Sequence, residues 1–264
     1  MRILYPDDPL NQLSPDQLFL PEYELAQARG FAVSIFSFEE FELGRFKAKP
    51  RPAPGEAVLY RGWMLNLGDY TRLNQALEQI SVRMLVSPEN YQATHHLPSW
   101  YPFLQDYTAE TLVFAEDTDF ADALAQTNWP GYFVKDYVKS LNTAEGSLVS
   151  SPTGIASVVA QLKKYRGEIE GGVCVRHQED YKPGSERRYF VAAGEAFSAD
   201  GEVPTVVALC AARISSPFFS IDVAERSDGV LRIIELGDGQ VSDLKEWSPE
   251  QLVDVLKRIA MTRV

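Results

Sequence analysis

Three carboxylates stand close together in the last fifth of the chain. Glu235 and Asp238 lie in Glu235-Leu236-Gly237-Asp238-Gly239-Gln240, which ends the apolar run Leu231 to Ile234. Asp222 lies on the preceding strand-like run, Phe219 to Ala224, and Asp228-Gly229 between the two runs is a hairpin signal. Folding back at that turn sets Asp222 roughly opposite Glu235, and the three carboxylates are expected to converge. Such a group suits a hard divalent cation such as Mg2+. Without a cation, carboxylates so close repel and raise one another's pKa. The plain alternative is a polar hairpin end with solvated acids.

Basic residues supply the opposite charge. Lys135 follows the apolar run Tyr132-Phe133-Val134, so its side chain leaves the end of a strand. Lys139 stands just before a polar, small-residue stretch from Asn142 to Gly154. Two ammonium groups beside such a loop suit the phosphates of a nucleotide, as point charges; otherwise they are surface lysines. No GxxxxGK[ST] or GxGxxG motif is present. Arg187 and Arg188 open a strand, and Arg176 and Arg213 are expected at the ends of two others. His177 and Glu179 sit in the linker after Arg176. His95-His96 would point about 100° apart on a helix. With no Cys or further His nearby, that pair reads as structural. Arg61-Gly62-Trp63 closes a strand in the first half, with Trp63 read as packed.

Elements must position these groups. Ile3 to Tyr5, Phe31 to Phe36, Ala57 to Tyr60 and Met84 to Val86 read as strands, and Tyr70 to Ile80 as a helix with one apolar face. Ser14-Pro15-Asp16-Gln17 has the chemistry of a helix start, and Pro21 that of a fresh start ahead of a helix ending at Gly30. Lys47 to Gly55, with three prolines, reads as a loop. Further on, Thr111 to Ala115, Tyr132 to Lys135, Gly172 to Arg176, Arg188 to Ala192 and Val206 to Ala211 read as strands. Helices are expected at Ala121 to Ala125, Ile155 to Tyr165 and Pro249 to Ile259. The fold class is α/β followed by α+β.

Composition narrows the partners. The 264 residues are 45% apolar and 23% charged, ordinary for a globular chain, and the net charge is −12. A duplex-binding protein shows a basic footprint, so nucleic acid is not an expected partner. No apolar run reaches the roughly 20 residues that span a bilayer, and MRILYPDD turns acidic too early for a secretory signal. The two cysteines, Cys174 and Cys210, form no disulfide framework or zinc spacing. A cytoplasmic setting is expected. Neither cysteine has a neighbouring histidine, so a thiol nucleophile is not expected.

Taken in order, the segments resemble the ATP-grasp superfamily, above all its clade named for one arginine and two lysines. The resemblance rests on the run Tyr132 to Ser140 with its two lysines, Glu186-Arg187-Arg188 entering the strand to Ala192, Asp222-Val223-Ala224, and Ile234 to Gln240. It implies an ATP-grasp domain at 111–264, two α+β subdomains sandwiching ATP, preceded by a small βαβ-type domain at 1–110. By that resemblance Lys135 and Lys139 hold phosphates, while Arg176, His177 and Glu179 meet adenine and ribose. Arg188, together with Lys139 and Arg213, serves the transferring phosphoryl group, and Asp222 and Glu235 hold Mg2+. The family often carries Asn two residues after that Glu; Gly237 stands there, and Asp238 is the expected replacement ligand. The implied activity is ATP-dependent joining of a small-molecule or peptide carboxylate to an amine through an acyl phosphate. A phosphotransferase and a non-catalytic nucleotide-binding module are the alternatives.

Overall fold

A computed structural model describes residues 1–141 and 146–262; residues 142–145, within the expected polar loop, lie outside the described residues. In chain order the elements are β1 (Arg2–Asp8), β2 (Asn11–Pro15), α1 (Leu20–Ala28), β3 (Ala32–Phe36), α2 (Phe38–Glu42), β4 (Ala48–Lys49), β5 (Ala57–Tyr60), α3 (Leu67–Glu78), β6 (Arg83–Met84) and α4 (Pro88–His95). There follow α5 (Leu97–Leu104), β7 (Thr111–Phe114), α6 (Phe120–Ala123), β8 (Tyr132–Asp136), β9 (Leu148–Val149), α7 (Ile155–Arg166) and β10 (Val173–His177). The chain closes with β11 (Arg187–Ala192), β12 (Glu195–Ser198), α8 (Thr205–Arg213), β13 (Phe218–Glu225), β14 (Leu231–Asp238) and α9 (Pro249–Met261).

Packing groups the chain differently from a chain-order division at 110 and 111. One compact unit comprises Met1–Gln92, Arg188–Ile221 and Gly237–Val264; the other comprises Ala93–Arg187 and Asp222–Leu236. The second half of the sequence therefore contributes to both. β13 and β14, neighbours in the sheet ordered β12-β11-β13-β14, run through both units.

In the first unit, β1 is flanked by β3 and β5, both parallel to it, in a sheet ordered β4-β3-β1-β5-β6. A central parallel strand is covered on both faces, so its apolar residues run on without alternation. Ile3, Leu4 and Tyr5 are all fully buried. The expected helix start at Ser14-Pro15 is instead β2, which turns back on β1 with Asp8 opposite Asn11. Helix α1 begins later, with Pro21 in its first turn, and ends before Gly30, whose φ of +83° suits glycine. Helix α9 opens on a capping box in which Ser248 and Gln251 satisfy each other's backbone N–H groups.

The stretch Val206 to Ala211, expected as a strand, lies in α8. Its buried residues, Val206, Val207, Cys210 and Ala211, fall at helical spacing, one and four apart. A short apolar run cannot by itself distinguish the two periodicities. Arg213 accordingly sits in the last turn of a helix rather than at a strand end.

A charged pair is buried within the first unit's apolar packing. The Arg61 Nε donates to both oxygens of Glu22 at 3.0 Å, and its Nη1 donates to the carbonyls of Gln240 (3.0 Å) and Ser242 (2.7 Å). The Tyr5 hydroxyl donates to Glu22 as well (3.2 Å). Burial pushes the Glu22 pKa up, and the guanidinium opposes that shift.

The second unit contains an antiparallel sheet ordered β7-β10-β8-β9. Side chains alternate across it. Tyr132, Val134, Val173 and Val175 face helix α7 and pack with its Ile155, Val158 and Leu162. The intervening residues, Phe133, Lys135, Cys174 and Arg176, occupy the opposite face. Among the described residues no helix is long and apolar enough to cross a membrane.

Removing one member of a buried ion pair leaves the other charge without compensation, at a cost of about 3–5 kcal/mol. Arg61→Ala should lower unfolding stability by that amount in a denaturant titration. Arg72→Ala, which breaks the exposed pair with Asp69, should cost under about 1 kcal/mol. Equal losses in the two variants would contradict the assignment.

Candidate functional site

The antiparallel register sets Lys135 opposite Cys174 and Phe133 opposite Arg176. These four side chains therefore share one face at the end of β8. The Lys135 side chain is only 4% exposed, and its Nζ is hydrogen-bonded and ion-paired with Glu235 Oε1. Glu235 keeps 36% of its side chain exposed. Burial pushes the Cys174 thiol up to about 12, outweighing the charges of Lys135 and Arg176. It is a packed thiol rather than a nucleophile.

A cavity of about 330 Å³ opens on the same face. Its apolar lining includes Ala109, Phe133, Leu148, Ala224 and Ile234, and its polar edge includes Arg176, His177, Gln178 and Glu179. An apolar slot with a few polar groups is the usual construction of a small-molecule pocket. Arg176 braces one wall, its Nη1 donating to the Ile234 carbonyl (2.7 Å) and its Nη2 to Thr108 Oγ1 (2.6 Å). Burial lowers the Arg176 pKa, against the charges of Tyr181, Glu235 and Glu179. Its Nε–H is buried with no acceptor among the described residues. An unspent donor beside a cavity is a position for a polar ligand atom.

His177 is held by its backbone N–H on the Glu110 carbonyl (2.8 Å) and lies edge-on to Trp129. The Glu179 carboxylate is already engaged. It accepts from Tyr181 Oη (2.5 Å), from Arg232 Nε (3.1 and 3.2 Å) and from Arg226 Nη1 (3.3 Å). Burial works to raise its pKa, but these hydrogen bonds and charges prevail and hold it below the ordinary value. Glu179 thus anchors the linker wall.

The expected convergence of three carboxylates does not form. Among the described residues no group of three or more His, Cys, Asp or Glu side chains is gathered to hold a metal ion. Asp222 and Glu235 belong to the second unit, Asp238 to the first. Asp222 is buried on β13, two residues from the cavity-lining Ala224 and so on the same strand face. Asp238 is turned inward. Its Oδ1 accepts from the Gln240 backbone N–H (3.0 Å) and from Gln240 Nε2 (2.9 Å), which also donates to Tyr70 Oη (2.7 Å). Its Oδ2 is buried without a partner among the described residues. Burial pushes the carboxyl up to about 7, against those hydrogen bonds and the charge of Arg61. In this arrangement the Asp238 side chain serves the hydrogen bonds of Gln240 within the first unit.

Arg188 and Arg213 also belong to the first unit. Arg188 Nη1 pairs with the Asp243 carboxylate and donates to the Asp243 carbonyl (2.9 Å), while its backbone N–H donates to Glu246 Oε1 (2.7 Å). Arg213 is exposed at the carbonyl end of α8, where a cation complements the helix dipole. That suits a helix-terminal charge better than a group at reacting atoms. Lys139 is exposed in the turn after β8. His95 and His96 are buried, and His96 Nε2 lies 3.2 Å from Glu170 Oε1. The apolar cavity wall was not singled out from the sequence, although Phe133 stands two residues before Lys135, the same-face position on a strand.

A lysine-bearing antiparallel sheet beside an apolar slot, with acidic strands next to it, defines the ATP-grasp class of fold. The family profile described as the ATP-grasp domain, R2K clade family 3, matches residues 79–256, and the chain belongs to that family. No curated protein matches the sequence. Solved structures show the same fold. D-cycloserine synthetase DcsG is 14% identical with a TM-score of 0.67, covering 98% of this chain and 100% of its own. D-alanyl-alanine synthetase A from Vibrio cholerae O1 biovar eltor is 14% identical with a TM-score of 0.63, covering 99% of each chain. The ATP-grasp ligase PsnB, solved with a minimal precursor, Mg and ADP, is 14% identical with a TM-score of 0.60, covering 98% of each chain.

The Asp238 environment makes stability depend on pH with a defined sign. A carboxyl whose folded pKa lies above its unfolded value stabilises fully below the unfolded value, near 4, and that contribution is lost as pH rises to about 7. Asp238→Asn keeps an oxygen for Gln240 and removes the charge. It should match the wild type near pH 4 and be more stable at pH 8, by up to about 4 kcal/mol. The same difference at both pH values would contradict the assignment.

Proposed function

We propose that this protein is an ATP-dependent ligase that joins a carboxylate to an amine, with Mg2+ as the metal. The single observation that carries this reading is the shared face of the second unit's sheet: an apolar cavity, a buried lysine and a partly exposed carboxylate, Glu235. The slot is large enough for an adenine ring, with His177 to Glu179 at its polar edge. Family membership and the ligases of like fold support the reading.

The residues fit a magnesium nucleotide. Mg2+ is commonly held by one or two carboxylates together with substrate phosphates, and Asp222 and Glu235 are the two candidates. Bound Mg2+ supplies charge neutralisation between phosphate oxygens. Lys135 and Lys139 contribute point charges toward phosphates. In the reaction a substrate carboxylate oxygen attacks the γ-phosphorus, and ADP leaves. An amine then attacks the acyl carbon, and inorganic phosphate leaves with the carboxylate's oxygen. Positioning and charge neutralisation suffice for this chemistry, and no protein nucleophile takes part. The acceptors are small molecules or peptides, and the setting is the reducing cytoplasm, consistent with two free, buried cysteines.

The test is ADP release measured across a panel of carboxylic acids and amines. Turnover should require both substrates, and an acid labelled with 18O should pass one labelled oxygen to the released phosphate. Lys135→Ala and Glu235→Gln should each lower turnover at least about 100-fold with cooperative unfolding retained, in line with losses from single charge-stabilising groups. A stable phosphate ester as product would identify a phosphotransferase instead and overturn the ligase reading.

A further inference from the structure

The second lysine stands in a turn, and its position depends on that turn. Asp136 ends β8 directly after Lys135, and its side chain is fully buried. One carboxylate oxygen, Oδ1, accepts from the backbone N–H groups of Val138 (2.7 Å) and Lys139 (2.5 Å). The other oxygen faces the Glu170 N–H (3.4 Å). The Asp136 N–H donates to the Lys139 carbonyl (3.0 Å), so the two residues are joined through both backbone and side chain. Beyond the turn, Ser140 pairs back with Lys135. This is an Asx-type turn: the carboxylate takes up N–H groups that a strand ladder has no acceptor for.

A second contact braces the same turn. The Tyr137 N–H donates to the Glu170 carbonyl (3.2 Å), and the Leu97 N–H donates to the Tyr137 carbonyl (2.9 Å). The Tyr137 ring lies on Gly171 and Gly172. A Cβ on Gly171 would stand 2.1 Å from Tyr137 Cδ2, and one on Gly172 would stand 2.8 Å from the Phe114 carbonyl oxygen. The absence of a Cβ on Gly171 is what leaves room for the ring there.

We propose that Asp136 is a positioning residue: its carboxylate, with Tyr137 seated on Gly171, fixes the turn that presents Lys139 to nucleotide phosphates. The inference rests on the nucleotide reading above and extends it to residues that touch no phosphate. Lys135 is held by its strand and by Glu235. Lys139 has no strand to hold it, and the turn fixes its backbone instead. A charge that must find its place on each binding event loses conformational entropy that a preorganised one has already lost on folding.

The experiment is calorimetric binding of MgATP and of adenosine to the full chain. Adenosine fills the cavity and lacks phosphates, so it separates the turn from the slot. Wild type should bind both. Asp136→Ala should weaken MgATP at least about tenfold, while adenosine affinity stays within about twofold. Asp136→Asn, which retains an oxygen for Val138 and Lys139, should restore most of the MgATP affinity. Gly171→Ala, which crowds the Tyr137 ring and, at a φ of +79°, strains the backbone beside Glu170 while leaving the Asp136 side chain in place, should repeat the phosphate-selective loss if Asp136→Ala does not fold. Unchanged MgATP affinity in Asp136→Ala and Gly171→Ala, or an equal loss for both ligands, would overturn the inference while leaving the nucleotide site standing. If wild type binds neither ligand, the nucleotide reading itself fails and the inference falls with it.

Discussion

A lysine ammonium taken almost wholly out of water must meet a negative partner, and the second unit's sheet is arranged around that requirement. Lys135, near the end of β8, meets Glu235 in the middle of β14. Desolvation makes such a pair costly unless its geometry is good, so the pair is weak evidence for stability. It is better evidence for a site, because both charges stand where a ligand that carries charges of its own could take over either partner. Glu235 keeps over a third of its side chain in solvent, which makes that exchange accessible. The apolar cavity and the brace of Arg176 lie on the same face as Lys135, and the turn at Asp136 follows directly after that residue.

The first unit spends its polar groups differently. Arg61, Glu22, Gln240, Tyr70 and Asp238 bond to one another inside the packing of that unit. Gln240 accepts the Tyr60 backbone N–H (3.0 Å) and donates to Asp238, so the segment after β14 is tied to the end of β5. The motif Glu235 to Gln240 is therefore divided. Glu235 faces partly into solvent, while Asp238 and Gln240 are structural. Buried polar networks of this kind specify one arrangement of elements at a cost in pairing.

Much of the fold was legible in the sequence, and the failures have physical causes. Strands β5, β8, β10, β13 and β14 and helices α3, α7 and α9 follow from apolar periodicity and capping chemistry. The β2 hairpin was hidden because Ser14-Pro15-Asp16-Gln17 carries local helix-start chemistry, and the pairing to β1 outweighs it. Helix α8 was hidden because Val206 to Ala211 is apolar throughout and short. Strand ends and linker position single out Lys135, His177 and Glu179 as candidates, and each borders the face or cavity described. The expected gathering of Asp238 with Glu235 rests on nearness in sequence, which does not report side-chain direction: three residues on from Glu235, Asp238 turns into a core. Asp136 carries no motif of its own: only the turn shows which N–H groups its carboxylate accepts.

The central claim is that the face carrying Lys135 and the cavity binds a magnesium adenine nucleotide. The most direct measurement is thermal unfolding with ATP, GTP and ADP, each with and without Mg2+. A ligand that binds only the folded chain stabilises it by about 2.7 kcal/mol at 100 times its Kd. A shift of that size is expected with ATP, requiring Mg2+ and exceeding the shift with GTP. No shift with any nucleotide at millimolar concentration would contradict the claim, and the pair of Lys135 and Glu235 would then be a structural ion pair alone.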